Sequence, residues 1–183
     1  RETLHDVVRW ADWEYRAEQG EWGLYPKRLT WLRNHFAGEL YHLVRLQFQF
    51  GRLWPGFRAF RHRQTGAVAA LTEDGALVDP SGRVAAGMPA LDPAEWEQVL
   101  APGDPVLHLH IPSGSPMDFA LCGDSLREAM RFFPRHFPQQ PWAAFACSSW
   151  LLDPTLATFL PETSNIVQLQ REVYLLPSAS SGN

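Results

Sequence analysis

The sequence predicts an α/β protein built on a mixed β-sheet, and three observations carry that expectation. Residues 105–134, PVLHLHIPSGSPMDFALCGDSLREAMRFFP, pass from an alternating pattern to a helical one across a loop of small residues. Upstream lies a run of short alternating segments parted by Gly-containing turns. Ahead of that run stand two stretches of helical periodicity, and after Pro134 comes an apolar stretch of strand length.

In chain order, Leu4, Val7, Val8, Ala11 and Tyr15 recur at helical spacing, with Trp10 and Trp13 adding bulk and Gly20 stopping the helix. Pro26 opens a second helix whose apolar positions are Leu29, Trp31, Leu32 and Phe36, ended by Gly38. Residues 39–50, ELYHLVRLQFQF, alternate Leu46, Phe48 and Phe50 against Arg45, Gln47 and Gln49 and read as an aromatic-rich strand. Gly51, Pro55 and Gly56 turn the chain into a second strand through Phe57, Ala59, Phe60 and Arg61. An antiparallel meander then follows, punctuated at Thr65-Gly66, Asp74-Gly75 and Ser81-Gly82. Asp92-Pro93 predicts a short helix over 92–100.

The stretch from Pro105 turns Leu107, Leu109 and Ile111 one way and His108 and His110 the other, as a half-buried strand does. Pro112, Gly114 and Pro116 break it. Leu126, Ala129, Met130 and Phe133 then mark an amphipathic helix, for which Asp118 and Asp124 compete as the start. WAAFACSSW, residues 142–150, reads as a buried strand parallel to the histidine strand. Asp153-Pro154 starts a helix that Pro161 closes, SNIVQLQREVYLLP favours a last strand, and the polar tail 178–183 is expected to be loose.

Composition bounds what such a chain does. With 183 residues, 45% hydrophobic and 20% charged, it buries a full core and is no disordered tail. No apolar run approaches the roughly 20 residues of a bilayer span, and no charged-then-apolar leader opens it, so no membrane association and a cytoplasmic location are expected. Cys122 and Cys147 are too sparse for a disulfide scaffold and read as reduced thiols. The chain begins at Arg1 close to helical sequence, which suggests a further N-terminal domain before it. Net charge is −4, yet residues 1–63 carry eleven basic and seven acidic groups and the rest five and thirteen. Arg45, Arg52, Arg58, Arg61 and Arg63 run with no acid between them and suit phosphate. The overall acidity and near absence of Lys argue against nucleic acid.

A strand that feeds a small-residue loop and then a helix leaves free amides beyond its end, a setting for an anion. Two other chemistries are weaker. A thiol nucleophile at Cys122 or Cys147 sits in apolar sequence that keeps thiols protonated, and His108 and His110 with Cys122 or His136 lack a third ligand fixed by spacing, so no metal is expected.

The element order, together with RLQFQF, LHLHIPSGSPMD, SLREAMRFFPRHFP and ACSSWLLDPTLATFLPETSNI, resembles the Gcn5-related N-acetyltransferase (GNAT) arrangement, and in detail the C-terminal domain of GNAT-like N-acyltransferases. The resemblance spans residues 2–177 as one domain. It implies a mixed, centrally splayed sheet, with the central strand at 106–111, the loop at 113–119 and the splayed neighbour at 144–149. It further implies direct transfer of an acyl group from a coenzyme A or carrier-protein thioester to an acceptor such as an amine. The donor's pantetheine and pyrophosphate would then meet Ile111, Ser113, Gly114 and Ser115, with Ser148, Ser149 and Asn165 hydrogen-bonding nearby. Usual members carry Arg or Gln, two spacers, Gly, one spacer and Gly or Ala in that loop. This chain offers Ser113, Gly114 and Ser115 instead, with Gly123 too far on.

Direct transfer needs a base for the acceptor nitrogen and an acid for the departing thiolate. His108 and His110 are the candidate bases, with Glu39 and Glu162 as alternatives, and Tyr174 is the candidate acid. The competing class is a GNAT-like domain that has lost its donor site and binds a partner instead.

Overall fold

The computed structural model describes residues 12, 15–23, 31, 33–87, 90–112 and 116–177. The chain forms two units, Arg1–Tyr41 and His42–Asn183.

In the first unit a short helix, α1 (Arg16–Gln19), ends at Gly20, whose φ of 75° suits a residue without Cβ. Residues 33–36 are helical as expected and Gly38, φ 68°, closes them. Leu4, Val7, Val8 and Ala11 of the first predicted helix, and Pro26, Leu29 and Leu32 of the second, lie outside the described residues.

Among the described residues eight strands form two four-stranded sheets. One takes β1 (Tyr41–Leu43), β2 (Leu46–Arg52), β7 (Pro105–His110) and β8 (Phe145–Ala146), in the order β1-β2-β7-β8. The other takes β3 (Phe57–His62), β4 (Val68–Thr72), β5 (Leu77–Val78) and β6 (Trp96–Leu100), in the order β5-β4-β3-β6. The first sheet is mixed: β2 pairs β7 antiparallel and β8 joins β7 in parallel. Strands thus divide between two sheets, because the chain turns at Pro55-Gly56 and β2 spends its free edge on β7.

The predicted strand at 39–50 is broken at Val44, whose φ of 59° is a left-handed turn that a β-branched side chain resists. Ser125 holds that turn. Its Oγ accepts the backbone N–H groups of Arg45 (2.9 Å) and Leu46 (3.2 Å) and donates to the Leu121 carbonyl (2.8 Å).

Two expectations are corrected. Residues 92–100 are not a helix: Asp92 caps a single turn, with its carbonyl accepting from Trp96 N–H at 2.8 Å, and the chain then enters β6 to pair with β3. Residues 165–172 are not a strand but a helix, α3 (Asn165–Glu172), which buries Val167, Leu169 and Gln170. The helix begun by Asp153 is a 3-10 turn, Pro154–Thr158, with the Asp153 carboxylate accepting from Thr155 N–H at 2.9 Å, and a separate 3-10 turn, Trp150–Leu152, precedes it.

The principal helix, α2 (Phe119–His136), starts at Asp118, whose carboxylate accepts the Leu121 N–H at 2.9 Å, and so decides between the two candidate caps. Its buried Phe133 meets Phe48 and Phe50 edge-on at centroid distances of 6.0 and 5.1 Å. Leu46, Phe48 and Leu107 are fully buried, so one face of the β2-β7 pair forms the core with α2. Alternation puts Gln47, Gln49, His108 and His110 on the opposite face. No helix among the described residues is long and apolar enough to cross a membrane.

Candidate active site

The two edges of β7 are bonded unequally. Toward β2 six residue pairs run from Gln47↔His110 to Arg52↔Pro105. Toward β8 only Leu107↔Phe145 and His108↔Ala146 pair. Upstream, the Ala143 N–H donates to the Pro105 carbonyl (2.9 Å) and the Leu107 N–H to the Ala144 carbonyl (3.0 Å). Because Leu107 turns its amide and carbonyl toward β8, the two-residue period turns those of Leu109 the same way, and the His108↔Ala146 pair is made through the Leu109 N–H donating to the Ala146 carbonyl. The register with β8 ends there. This parallel neighbour lies within the segments that the resemblance implied, 106–111 and 144–149, with the named pairs confined to 107–108 and 145–146.

His108 and His110 stand two residues apart on one face, opposite Gln49 and Gln47. The His108 Nε2 lies 3.1 Å from the Arg52 carbonyl oxygen. A carbonyl only accepts, so Nε2 carries the proton and Nδ1 is the acceptor of the neutral ring. Trp54 lies against the same ring, with centroids 4.4 Å apart. Burial lowers the His108 pKa, partly offset by the Arg52 carbonyl. Burial, and then the neighbouring His108, pushes His110 down to about 4. Both imidazoles are therefore neutral at pH 7. His108, the less depressed, is the stronger base.

The other candidates lie elsewhere. Tyr174 donates its hydroxyl to the Val78 carbonyl in the second sheet (2.9 Å), and burial raises its pKa. Ser149 caps a 3-10 turn, accepting from Leu151 N–H at 3.3 Å, while Ser148 and Asn165 are exposed. Glu162 pairs with Arg171 at 3.3 Å on the surface. Ser113, Gly114 and Ser115 lie outside the described residues. Burial raises the Cys122 thiol and pushes Cys147 up to about 12, which keeps both protonated and inert as nucleophiles. Among the described residues no three His, Cys, Asp or Glu side chains gather as metal ligands do.

Sequence reasoning read Arg45 only as one of a phosphate-suited run and missed the neighbours of His108. Arg45 is buried, 7% exposed, and its Nε donates to the Pro116 carbonyl (3.0 Å) just ahead of α2. Gly51 and Trp54 flank His108. A glycine inside an aromatic strand was the available signal for those neighbours, since such a position marks a close approach.

The model of the GNAT-like C-terminal domain family matches residues 40–183. Among curated proteins none matches. Solved structures do. An acyltransferase in complex with decanoyl-CoA is 32% identical over 93% of this chain and 38% of its own, with a TM-score of 0.54. An acyltransferase in complex with decanoyl-CoA and teicoplanin is 29% identical over 98% of this chain and 41% of its own, with a TM-score of 0.60. One with CoA and 10C-teicoplanin is 29% identical over the same shares, with a TM-score of 0.58. The chain thus spans about two fifths of the length of these structures.

Proposed function

Because the chain belongs to the GNAT-like C-terminal domain family, we propose that it carries the donor-binding and base-bearing half of an acyl-CoA-dependent N-acyltransferase. The observation that carries this reading is the interrupted pairing of β7 with β8. Past that last pair the Leu109 carbonyl is the next backbone group of the strand turned to that side, and a pantetheine arm, itself a chain of amides, can bond to it as an added strand would. The relatives' complexes with decanoyl-CoA support acyl-CoA as the thioester.

Transfer then follows from proximity. The acceptor amine attacks the thioester carbonyl, the C–N bond forms as the C–S bond breaks, and a neutral imidazole takes the nitrogen's proton. His108 is assigned that role through Nδ1, with His110 as a weaker base beside it. Ile111 belongs to the donor's backbone contacts, and Ser113, Gly114, Ser115, Ser148, Ser149 and Asn165 remain candidates for its polar atoms. Tyr174, bonded to Val78, is a weaker candidate for the acid. Teicoplanin, held in a relative's complex, is the first acceptor to assay.

Thermal unfolding of the chain with decanoyl-CoA, acetyl-CoA and free CoA tests the reading. A donor at a hundred times its Kd adds about 2.7 kcal/mol to stability. No stabilisation by any of them overturns the donor assignment and favours the partner-binding alternative.

A further inference from the structure

The turn that follows β2 is pinned at consecutive residues. The Arg52 guanidinium donates to the Gly103 carbonyl (3.0 Å), the Leu53 N–H donates to the Asp104 carbonyl (2.9 Å), and the Leu53 carbonyl accepts from the Gly103 N–H (3.0 Å). Leu53 is buried, and the Asp104 carboxylate in turn accepts the Ala101 N–H at 2.7 Å. The Arg52 carbonyl is therefore held between fixed neighbours, and its oxygen is the one that meets His108 Nε2 at 3.1 Å. On the same face, a Cβ added at Gly51 would land on the His108 ring, at Cδ2 and Nε2. The ring occupies the space that any other side chain at position 51 would take. Trp54 closes the remaining side at 4.4 Å between centroids while staying 45% exposed, an open position for so large an apolar ring.

We propose that Gly51, the Arg52 carbonyl and Trp54 form a positioning cradle that fixes the orientation and tautomer of His108, leaving Nδ1 as its proton acceptor. The three groups do different work: glycine makes room, the carbonyl selects the protonated nitrogen, and the indole stops the ring from turning about χ2. None of them touches reacting atoms, so they are positioning residues. Their catalytic consequence rests on the acyl-transfer reading, whereas the ring geometry does not.

Nitrogen-15 spectra of the histidine rings in the full chain test the cradle, with donor and acceptor kinetics beside them. Wild type shows the proton on Nε2 of His108. Gly51→Ala displaces the ring, removes that signature and lowers kcat on the order of 100-fold with KM for acyl-CoA unchanged. Trp54→Ala loosens the tautomer and lowers kcat about tenfold, and Trp54→Phe, which keeps a ring face, restores both. Since Trp54 is half exposed, that pair decides the matter if Gly51→Ala does not fold. A proton on Nδ1 in wild type, or a tautomer indifferent to both Trp54→Ala and Gly51→Ala, overturns the cradle. Absence of turnover with every thioester overturns the acyl-transfer reading instead, and the ring spectra still decide the cradle.

Discussion

The two edges of β7 teach opposite lessons. Along β2 its six pairs are backed by an aromatic cluster, with Phe48, Phe50 and Phe133 packed edge to face and Phe145 5.7 Å from Phe48. Along β8 two pairs suffice before the register ends. The same strand is thus structural on one edge and open on the other. Leu107 is fully buried on the face of the β2-β7 pair that carries Phe48 and Phe50, and His108 and His110 lie on the other face. Substitutions on the closed side should cost stability and spare chemistry, and those on the histidine face should do the reverse.

The largest effect expected is at Phe133. It is fully buried and joins α2 to both phenylalanines of β2, so Phe133→Ala removes a ring from a packed cluster and should lower unfolding free energy by about 3–5 kcal/mol. Urea unfolding measures it, and a loss below about 1 kcal/mol would remove the cluster as the anchor of the closed edge. The opposite face is probed by His108→Ala, expected to reduce turnover on the order of 100-fold while leaving the urea midpoint and donor KM in place. His110→Ala should reduce it less, because a ring held near pKa 4 is a poor base at neutral pH. Equal turnover in wild type and both variants would strip the histidine face of its chemical role.

How far this contrast was legible in the sequence follows the range of the interactions involved. The alternation of β7, the helical spacing of α2 and the apolar brevity of residues 142–150 are local patterns, and they placed the strand, the helix and the parallel neighbour. Asp118 was one of two caps with equal local merit; the bond to Leu121 decided between them. Residues 92–100 misled because Asp92-Pro93 is a genuine helix-type turn, which pairing with β3 then overrides after one turn. Residues 165–172 misled for the converse reason: Ile166, Leu169 and Val173 fit a helical stripe as well as an imperfect alternation, and the buried Val167, Leu169 and Gln170 show the helix prevailing. The one local signal of the His108 surroundings, a glycine at the end of an aromatic strand, reads equally as turn punctuation, and only the antiparallel register brings Gly51 beneath a ring 57 positions along the chain.

The smallest effect is the pH dependence of stability, which sharpens the contrast without substrate. Burial holds His110 near pKa 4, against 6.5 in the unfolded chain. Between those values the unfolded state takes up a proton that the folded state refuses, so stability rises with pH across this window and is lost as pH falls through it. His108, lowered for the same first cause, adds in the same direction. Solvent reaches part of both rings and screens the effect, leaving a loss on the order of 1–2 kcal/mol from pH 6.5 to about 4. The carboxylates of Asp79 and Asp153, held below their ordinary value by the Ser81 and Thr155 hydroxyls, contribute their own loss only further into acid. Urea midpoints of wild type and His110→Gln at pH 7.5, 5.5, 4.5 and about 3 separate the two windows. The variant should flatten the slope between 6.5 and 4.5 and leave the more acidic limb alone, because glutamine keeps a polar group on that face of β7 but takes up no proton. A slope identical in both proteins would mean that His110 is as open to water as any surface histidine, and the histidine face of β7 would then have no enclosed base to offer.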